Sequence, residues 1–515
     1  MRKINKLLFL FPLSLIATSL TGCNSSSEVR VLRVLNCEDY IYEYDPDPEG
    51  NWDADMEDLG VKNYKKDVMD QFVDYYKKKF GEEIEYVYDT FDTNETMFNE
   101  LKTGKTTYDV VVPSDYMIQK LRDNKMLHKI SSENEAEMWK NISPFLKEKF
   151  EDSLEISEYA VPYMWGTVGL MYNPAYYMKK NSKLKIDDVH KLFENWDNLY
   201  TNKDIRGTFS IKDSVRDTYA VSLIHAFKDK IAKIDNDHTE DLETLFNKHD
   251  SKTMEIVKQD MLKLKDAAFG FECDSGKTDM VDQKVGANMC WSGDATWAIA
   301  EADEVDLYYS VPVNGGKSAS NIWFDGLCMP ANAKDEKHLT KEEKAQYALA
   351  EEFIKFMSTP EIAAQNCYCV GYTPGVAGEA MLDYMLWYYE VEDGEDYIEY
   401  DLSYFYDGTL SEEYKTEHGF TTKIYIKADE DTAKRDLAAQ YPTKEILPRL
   451  AVMKDFGEDN VHLLDMWEQV RTNPLPTWGV IVLVCEGAAA LAFAIYLVSH
   501  KVNRKRFKKE RHATN

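Results

Sequence analysis

A chain of 515 residues is long for one hydrophobic core, so two lobes or domains are expected. With 44% hydrophobic and 13% aromatic residues it has ample material to pack them. The formal charge of -30, from 91 acidic against 61 basic side chains, excludes nucleic acid as the expected partner and suits cationic ligands or plain solubility.

The first segment reads as an export signal. Arg2, Lys3 and Lys6 make a basic start, and Leu7 to Leu20 is an apolar run too short to span a bilayer. It ends in Leu20-Thr21-Gly22-Cys23, followed by Asn24-Ser25-Ser26-Ser27. This resembles a bacterial lipoprotein box, which implies lipidation at Cys23 and a tether over 23–30.

Val31 to Leu35 then reads as a strand ending at Asn36-Cys37-Glu38-Asp39-Tyr40. The acidic insert over 45–58 has calcium-loop spacing at Asp45, Asp47, Glu49 and Gly50. Two prolines intrude and Met56 stands where a bidentate Glu is needed, so it reads as a solvated loop. Tyr64 to Phe80 is helical by periodicity and closed by Gly81. Ile84 to Tyr88 reads as a strand, Asn94 to Leu101 as a helix capped by Thr93, and Tyr108 to Val112 as a further strand. Alternation of strand and helix predicts an α/β lobe with a largely parallel sheet, whose ligands sit at the carboxyl ends of the strands. That places Cys37 to Tyr40 and Pro113-Ser114-Asp115-Tyr116 among the candidate loops.

Tyr159 to Tyr172 is extended and apolar enough to pass between lobes. A second α/β region follows, with a strand at Gly207 to Ile211 and a turn at Lys212-Asp213-Ser214-Val215-Arg216-Asp217 into a helix. A long charged helical tract is expected over 239–267, then strands at Ala287 to Trp291 and Leu307 to Val311, with Ser292-Gly293-Asp294 as a turn. Asn321-Ile322-Trp323-Phe324-Asp325-Gly326-Leu327 sets an aromatic pair and a carboxylate before an apolar run, and such a pair attracts an organic ammonium ion. Gln346 to Met357 reads as a helix, and Pro360 opens another after Ser358-Thr359. The Tyr-rich, acidic stretch 380–440 has no clear period and reads as a surface insertion on the second lobe. Trp478 to Val498 is apolar apart from Glu486 and long enough to span a membrane. The basic residues from Lys501 to Arg511 would leave its tail in the cytoplasm.

Six of the eight cysteines, Cys37, Cys273, Cys290, Cys328, Cys367 and Cys369, lie between the terminal segments and permit up to three bridges. There is no CxxC and no His close to Cys367 and Cys369, so no metal site is expected. No nucleophile elbow, P-loop or HExxH occurs, so the chain reads as a binding protein without a cofactor and not as an enzyme.

Several stretches stand together in a known order. They are Asn94-Glu95-Thr96-Met97, Tyr108-Asp109-Val110-Val111-Val112-Pro113-Ser114, Val161-Pro162-Tyr163-Met164-Trp165-Gly166, Trp323-Phe324-Asp325, Pro330-Ala331-Asn332-Ala333-Lys334 and Gly371-Tyr372-Thr373-Pro374. Over roughly residues 30 to 378, and more loosely 440 to 470, the chain resembles bacterial spermidine/putrescine-binding proteins, the extracytoplasmic receptors of polyamine ABC transporters. The resemblance implies a type II periplasmic-binding-protein fold: α/β, two-lobed, each lobe a mostly parallel sheet flanked by helices, here with a C-terminal transmembrane helix added. Lobe 1 would comprise 31–160 and 325–378, and lobe 2 would comprise 161–324 and 379–472.

Carried across by position, the family's ligand contacts fall on Glu38, Asp39, Tyr40, Ser114, Asp115, Tyr116, Ser214, Asp217, Trp291, Trp323, Asp325 and Tyr372. Cys37 stands where the family has a Trp, and Ser214 where spermidine binders carry an acid. The implied partners are a polyamine, a permease with its ATPase, and the membrane through the lipid anchor and C-terminal helix. The competing expectations are a receptor for a sugar or peptide, and a membrane-anchored sensor or surface protein of the same fold.

Overall fold

The computed structural model describes residues 29–44, 51–273, 275–332, 338–392 and 394–472. The export signal, Cys23, the tether up to residue 28, the first part of the acidic insert (45–50), the apolar segment 478–498 and the basic tail lie outside the described residues.

β1 (Arg30–Cys37) opens the first lobe and is flanked on both sides by parallel strands, β2 (Ile84–Phe91) and β3 (Val110–Val111). The helices between them follow local codes. Gly81 ends the helix Val68–Phe80 at φ 71°, and Thr93 accepts the Thr96 amide at 3.2 Å to start the helix Asn94–Thr103. The short β4 (Leu127–His128) precedes β5 (Ala160–Tyr172), which is buried along its whole length. In the second lobe β6 (Phe209–Lys212) lies between the parallel strands β7 (Gly270–Glu272) and β8 (Ala287–Trp291), and β9 (Tyr308–Ser310) runs antiparallel to β5.

β10 (Ser320–Pro330) joins the lobes. It pairs antiparallel with β5 from Ile322–Thr167 to Cys328–Ala160, while Val168 to Tyr172 of β5 pair with β8. The strand order is therefore β2-β1-β3-β10-β5-β8-β6-β7. β11 (Thr373–Pro374) pairs with β5, and β12 (Ile398–Asp401) pairs with β13 (Tyr425–Ala428) in a separate ribbon. β14 (Leu450–Val452) runs parallel to β10. Phe72, Phe150, Trp165, Phe324 and Phe353 belong to one core, and Trp196, Phe209, Tyr219, Met261 and Trp467 to another.

The two-lobed α/β architecture is present, and one part of the expected fold class is corrected. Among the described residues no helix is long and apolar enough to cross a membrane, and 478–498 lies outside them. The Tyr-rich stretch also differs from the expected decoration of the second lobe. Tyr384, Tyr400, Phe405, Tyr406 and Tyr414 enter the first core, with hydroxyls satisfied inside it: Tyr400 donates to the Tyr441 carbonyl at 2.6 Å and Tyr414 to Asp383 at 2.6 Å. Tyrosine buries a ring while keeping a polar tip, which hides such a face from a polarity pattern.

The charged tract 239–267 is two helices, Thr239–Phe246 and Ser251–Ala267, because Asp250 accepts the Lys252 and Thr253 amides and starts the second. Ser292-Gly293-Asp294, expected as a turn, is the first turn of the helix Ser292–Glu301. Cys290, Cys328, Cys367 and Cys369 carry free thiols, so the three bridges that the cysteine count permits are not formed.

The segment before β14 is fastened by a buried cation. Arg449 is 0% exposed and donates to the carbonyls of Ser318 at 2.8 Å, Ile234 at 2.7 Å and Ile231 at 3.1 Å. Replacing it leaves three buried acceptors without their donor. Arg449→Met is expected to destabilise the protein by about 3 kcal/mol, seen as a melting temperature several degrees lower in scanning calorimetry; an unchanged transition contradicts the assignment.

Candidate ligand-binding cleft

The first wall of the cleft begins where β1 ends. Asn36 holds the turn, its side chain donating to the Tyr40 carbonyl at 3.1 Å and accepting the Cys37 amide at 2.8 Å. Asp39 takes a left-handed φ of 51°, a conformation that Asp tolerates better than most residues. The turn leaves Glu38 and Asp39 exposed and Tyr40 buried. The Tyr40 hydroxyl donates to Asp325 Oδ2 at 2.7 Å, and its ring meets the rings of Tyr163 and Tyr372 edge-on at 5.4 and 5.2 Å.

Asp325 sits where the β10–β5 ladder shifts register between Phe324 and Gly326, and its backbone bridges to Ser114 instead. Such a break in pairing re-aims a side chain. Ser114 is itself held by Asn94, which accepts its amide and donates to its hydroxyl, both at 3.0 Å. Asp115 opens the next helix and is buried, accepting the amides of Tyr116 at 2.5 Å and Phe324 at 3.1 Å.

The second wall comes from β6, β8 and the helix Val215–Ala226. Ser214, expected as a ligand contact, accepts the Asp217 amide as the N-cap of that helix. Asp217 lies in the first helical turn, where the helix dipole favours negative charge. It is buried and accepts from Trp291 Nε1 at 2.9 Å and Asn321 Nδ2 at 3.0 Å. Trp323 stands 6.5 Å from Trp291 and 5.7 Å from Tyr372 between ring centres. It lies so close to the backbone at Gly166 that a Cβ there would collide with the indole.

Charge in this cleft is unevenly compensated. Burial raises the Asp325 carboxyl to about 6, helped by the Asp217 charge and opposed by hydrogen bonds from Tyr40 and Ser114. Burial raises Asp115 to about 7, with Arg216 pulling it back. The Arg216 guanidinium lies 4.3 Å from the Tyr116 ring and 5.0 Å from Phe456. Lys212 at the end of β6 donates to Asp294 at 2.8 Å, lies 3.7 Å from Glu272 and sits 4.2 Å from the Trp291 ring centre. Tyr372 donates to the other oxygen of Asp294 at 2.8 Å. Among the described residues, no Lys or Arg forms a salt bridge with Asp217 or Asp325, which are held by neutral donors.

The structure thus brings together Tyr40, Ser114, Asp115, Tyr116, Asp217, Trp291, Trp323, Asp325 and Tyr372, and leaves Glu38 and Asp39 on an exposed turn. Lys212, Arg216, Asp294 and Asn321 were missed as site residues. Lys212 alone carries a signal, a lysine ending a strand that is buried at every position. A separate cavity of about 700 Å³, lined by Gln71, Tyr75, Phe356 and Ile362, contains none of these residues.

A two-lobed fold with its acids and rings gathered between the lobes suits a receptor that closes around a small cation. The sequence profile of the bacterial extracellular solute-binding proteins matches residues 71–383. The chain belongs to that family. Among curated relatives of this solute-binding protein, the spermidine/putrescine-binding periplasmic protein of Escherichia coli is 26% identical over 332 residues, covering 64% of this chain and 80% of the relative. The putrescine-binding periplasmic protein SpuD of Pseudomonas aeruginosa is 27% identical over 329 residues, covering 64% and 81%. In solved structures, the spermidine/putrescine transporter substrate-binding protein PotD of Streptococcus pneumoniae matches with a TM-score of 0.51 at 23% identity, covering 86% of this chain and all (100%) of that one. A protein from Listeria monocytogenes described as a spermidine/putrescine ABC transporter matches at 0.54 and 21%, covering 86% and 99%.

The raised Asp325 carboxyl carries a stability consequence. Its folded value of about 6 lies above the ordinary aspartate value, so the folded state binds the proton more tightly than the unfolded chain. Ionisation therefore costs the ligand-free fold stability, an effect absent at low pH and complete above about pH 6. The penalty reaches about 3 kcal/mol. Asp325→Asn is expected to raise the melting temperature of the ligand-free protein at pH 7.5, with the gain shrinking at pH 5; a gain independent of pH contradicts the origin in charge burial.

Proposed function

We propose that this solute-binding protein captures a polyamine between its lobes and delivers it to an ABC-type permease driven by an ATPase. One observation carries the reading: Asp217 and Asp325 are buried carboxylates held by neutral donors, beside the rings of Tyr40, Trp291, Trp323 and Tyr372. A polyamine at neutral pH is an apolar chain bearing ammonium groups, and it needs carboxylates for its charges and flat apolar walls for its methylenes. A desolvated cation over an aromatic face gains about 2 kcal/mol. Two or three such contacts with charged hydrogen bonds reach micromolar affinity, about -8 kcal/mol, after ordering costs. The spermidine- and putrescine-binding names of the relatives agree with this chemistry. The reading of residues 1–22 as an export signal agrees as well, since such capture takes place outside the cytoplasm.

In this reading Asp325 and Asp217 take the ammonium groups, Tyr40, Tyr116, Trp291, Trp323 and Tyr372 form the walls, and Ser114 and Asp115 orient the first-lobe side. Ser214 acts by capping the helix that presents Asp217. A sugar receptor also stacks its ligand on Trp but has no use for converging acids. Titration calorimetry with putrescine, spermidine and maltose discriminates the two, and heat with maltose alone sinks the polyamine reading. Asp325→Ala is expected to weaken amine binding at least tenfold, because an ammonium loses its buried partner; full affinity in a folded variant removes Asp325 from the site.

Binding should also depend on pH. A proton competes with the ammonium for Asp325, whose carboxyl titrates at about 6 in the ligand-free protein. Putrescine affinity is expected to fall about tenfold from pH 7 to pH 5 through Asp325, and to fall less in Asp325→Asn, where only the raised carboxyl of Asp115 still titrates in that range. Equal pH profiles for the two proteins contradict this role.

A further inference from the structure

The cleft already contains an ammonium group. Lys212 Nζ lies over the Trp291 ring at 4.2 Å, bonds to Asp294 at 2.8 Å and has Glu272 at 3.7 Å. An aromatic face with two carboxylates is the environment a polyamine nitrogen seeks. The side chain is 4% exposed, and burial of a lysine is tolerated only with such pairing. The cluster is continuous with the candidate ligand walls. Asp294 accepts the Tyr372 hydroxyl at 2.8 Å, the Tyr372 ring packs on Trp323 and Tyr40, and Trp291 donates its Nε1 to Asp217 at 2.9 Å. A Cβ at Gly293 would run into the Tyr372 ring, so this corner of the cleft is closely packed.

Charge and space therefore divide the acids into two sets. Asp294 and Glu272 share Lys212, and one face of Trp291 is taken by it. Asp217 and Asp325 are left for a ligand. Two available carboxylates match a diammonium chain, whereas a triamine brings a third charge whose natural partners are occupied.

We propose that Lys212 stands in, from within the chain, for one ammonium group of a longer polyamine, so that the cleft takes a diamine in preference to a triamine. The inference rests on the polyamine reading and adds a specificity-determining residue to it. Removing the side chain should free the Asp294–Glu272 pair and the Trp291 face for a third ligand nitrogen.

The test is titration calorimetry of the full-length protein with putrescine and spermidine, on the wild type, on Lys212→Ala, and on Lys212→Ala/Glu272→Gln. The double variant keeps the net charge of the cluster and so guards against misfolding from two unpaired buried acids. The wild type is expected to bind putrescine at least tenfold more tightly than spermidine, and the variants to reduce that ratio at least tenfold. Spermidine should raise the melting temperature of Lys212→Ala more than putrescine does. A wild type that binds spermidine equally or better, or a folded variant with an unchanged ratio, overturns the role of Lys212 while leaving polyamine capture intact. A wild type that binds neither amine overturns both.

Discussion

Burying two carboxylates, Asp217 and Asp325, without a salt bridge from the cations that share their cleft is the constraint that shapes this site. Desolvation favours the neutral form of a carboxyl, and Asp325 has moved part of the way, to about 6. What keeps charge available is a set of neutral donors: the Tyr40 hydroxyl, the Trp291 indole and the Asn321 amide. Neutral donors stabilise a carboxylate without cancelling its field, so the attraction for an incoming cation is retained. The backbone features around the site all serve to place these donors and acceptors. The turn at Asp39 brings Tyr40 inward, the register shift places Asp325 against Ser114, and the Ser214 cap sets Asp217 in a helical first turn.

The cations that do enter the cleft are as informative as the acids. Arg216 lies over Tyr116 and draws the Asp115 carboxyl back toward ionisation, while Lys212 answers Asp294 and Glu272. Without them five acids would share one buried region with no counter-charge, a costly arrangement. With them, two acids remain unanswered. The ligand charge that a receptor selects is thus set by its internal bases as well as by its acids.

Much of the framework was legible because local rules act locally. Gly81, Thr93 and Pro360 mark helix ends by conformational cost and amide satisfaction, and both follow from residue type alone. Asp217, Trp291 and Asp325 were legible through family order, since no periodicity distinguishes a cleft residue from a core residue. Lys212 and Asp294 were not legible as a pair. In a sequence a charge reads as solvated surface, and the burial that makes these two matter arises only when β6 and the start of the helix Ser292–Glu301 meet. The exposure of Glu38 and Asp39 turned on the handedness of a single residue, which composition does not encode.

The Tyr-rich insertion joins parts of the molecule that the binding mechanism treats as separate. Tyr384, Tyr400, Phe405, Tyr406 and Tyr414 are buried in the first core, yet its later portion is tied to the second lobe. Asp431 accepts the Tyr308 hydroxyl at 2.7 Å, Arg435 donates to the Leu307 carbonyl at 3.0 Å, and the same guanidinium lies 3.3 Å from Asp306. Leu307 and Tyr308 lead into β9, which is held by the second-lobe half of β5. A hinge movement about β5 and β10 must therefore carry this strap along or break a mixed set of neutral and charged bonds at its far end. The ion pairs near β9, with Asp306 and Asp431 largely exposed, contribute little to that attachment. Ala439, a few residues on, is buried with Cys290, Ala298 and Tyr309, so parting the strap from the second lobe would uncover apolar surface as well as break polar bonds.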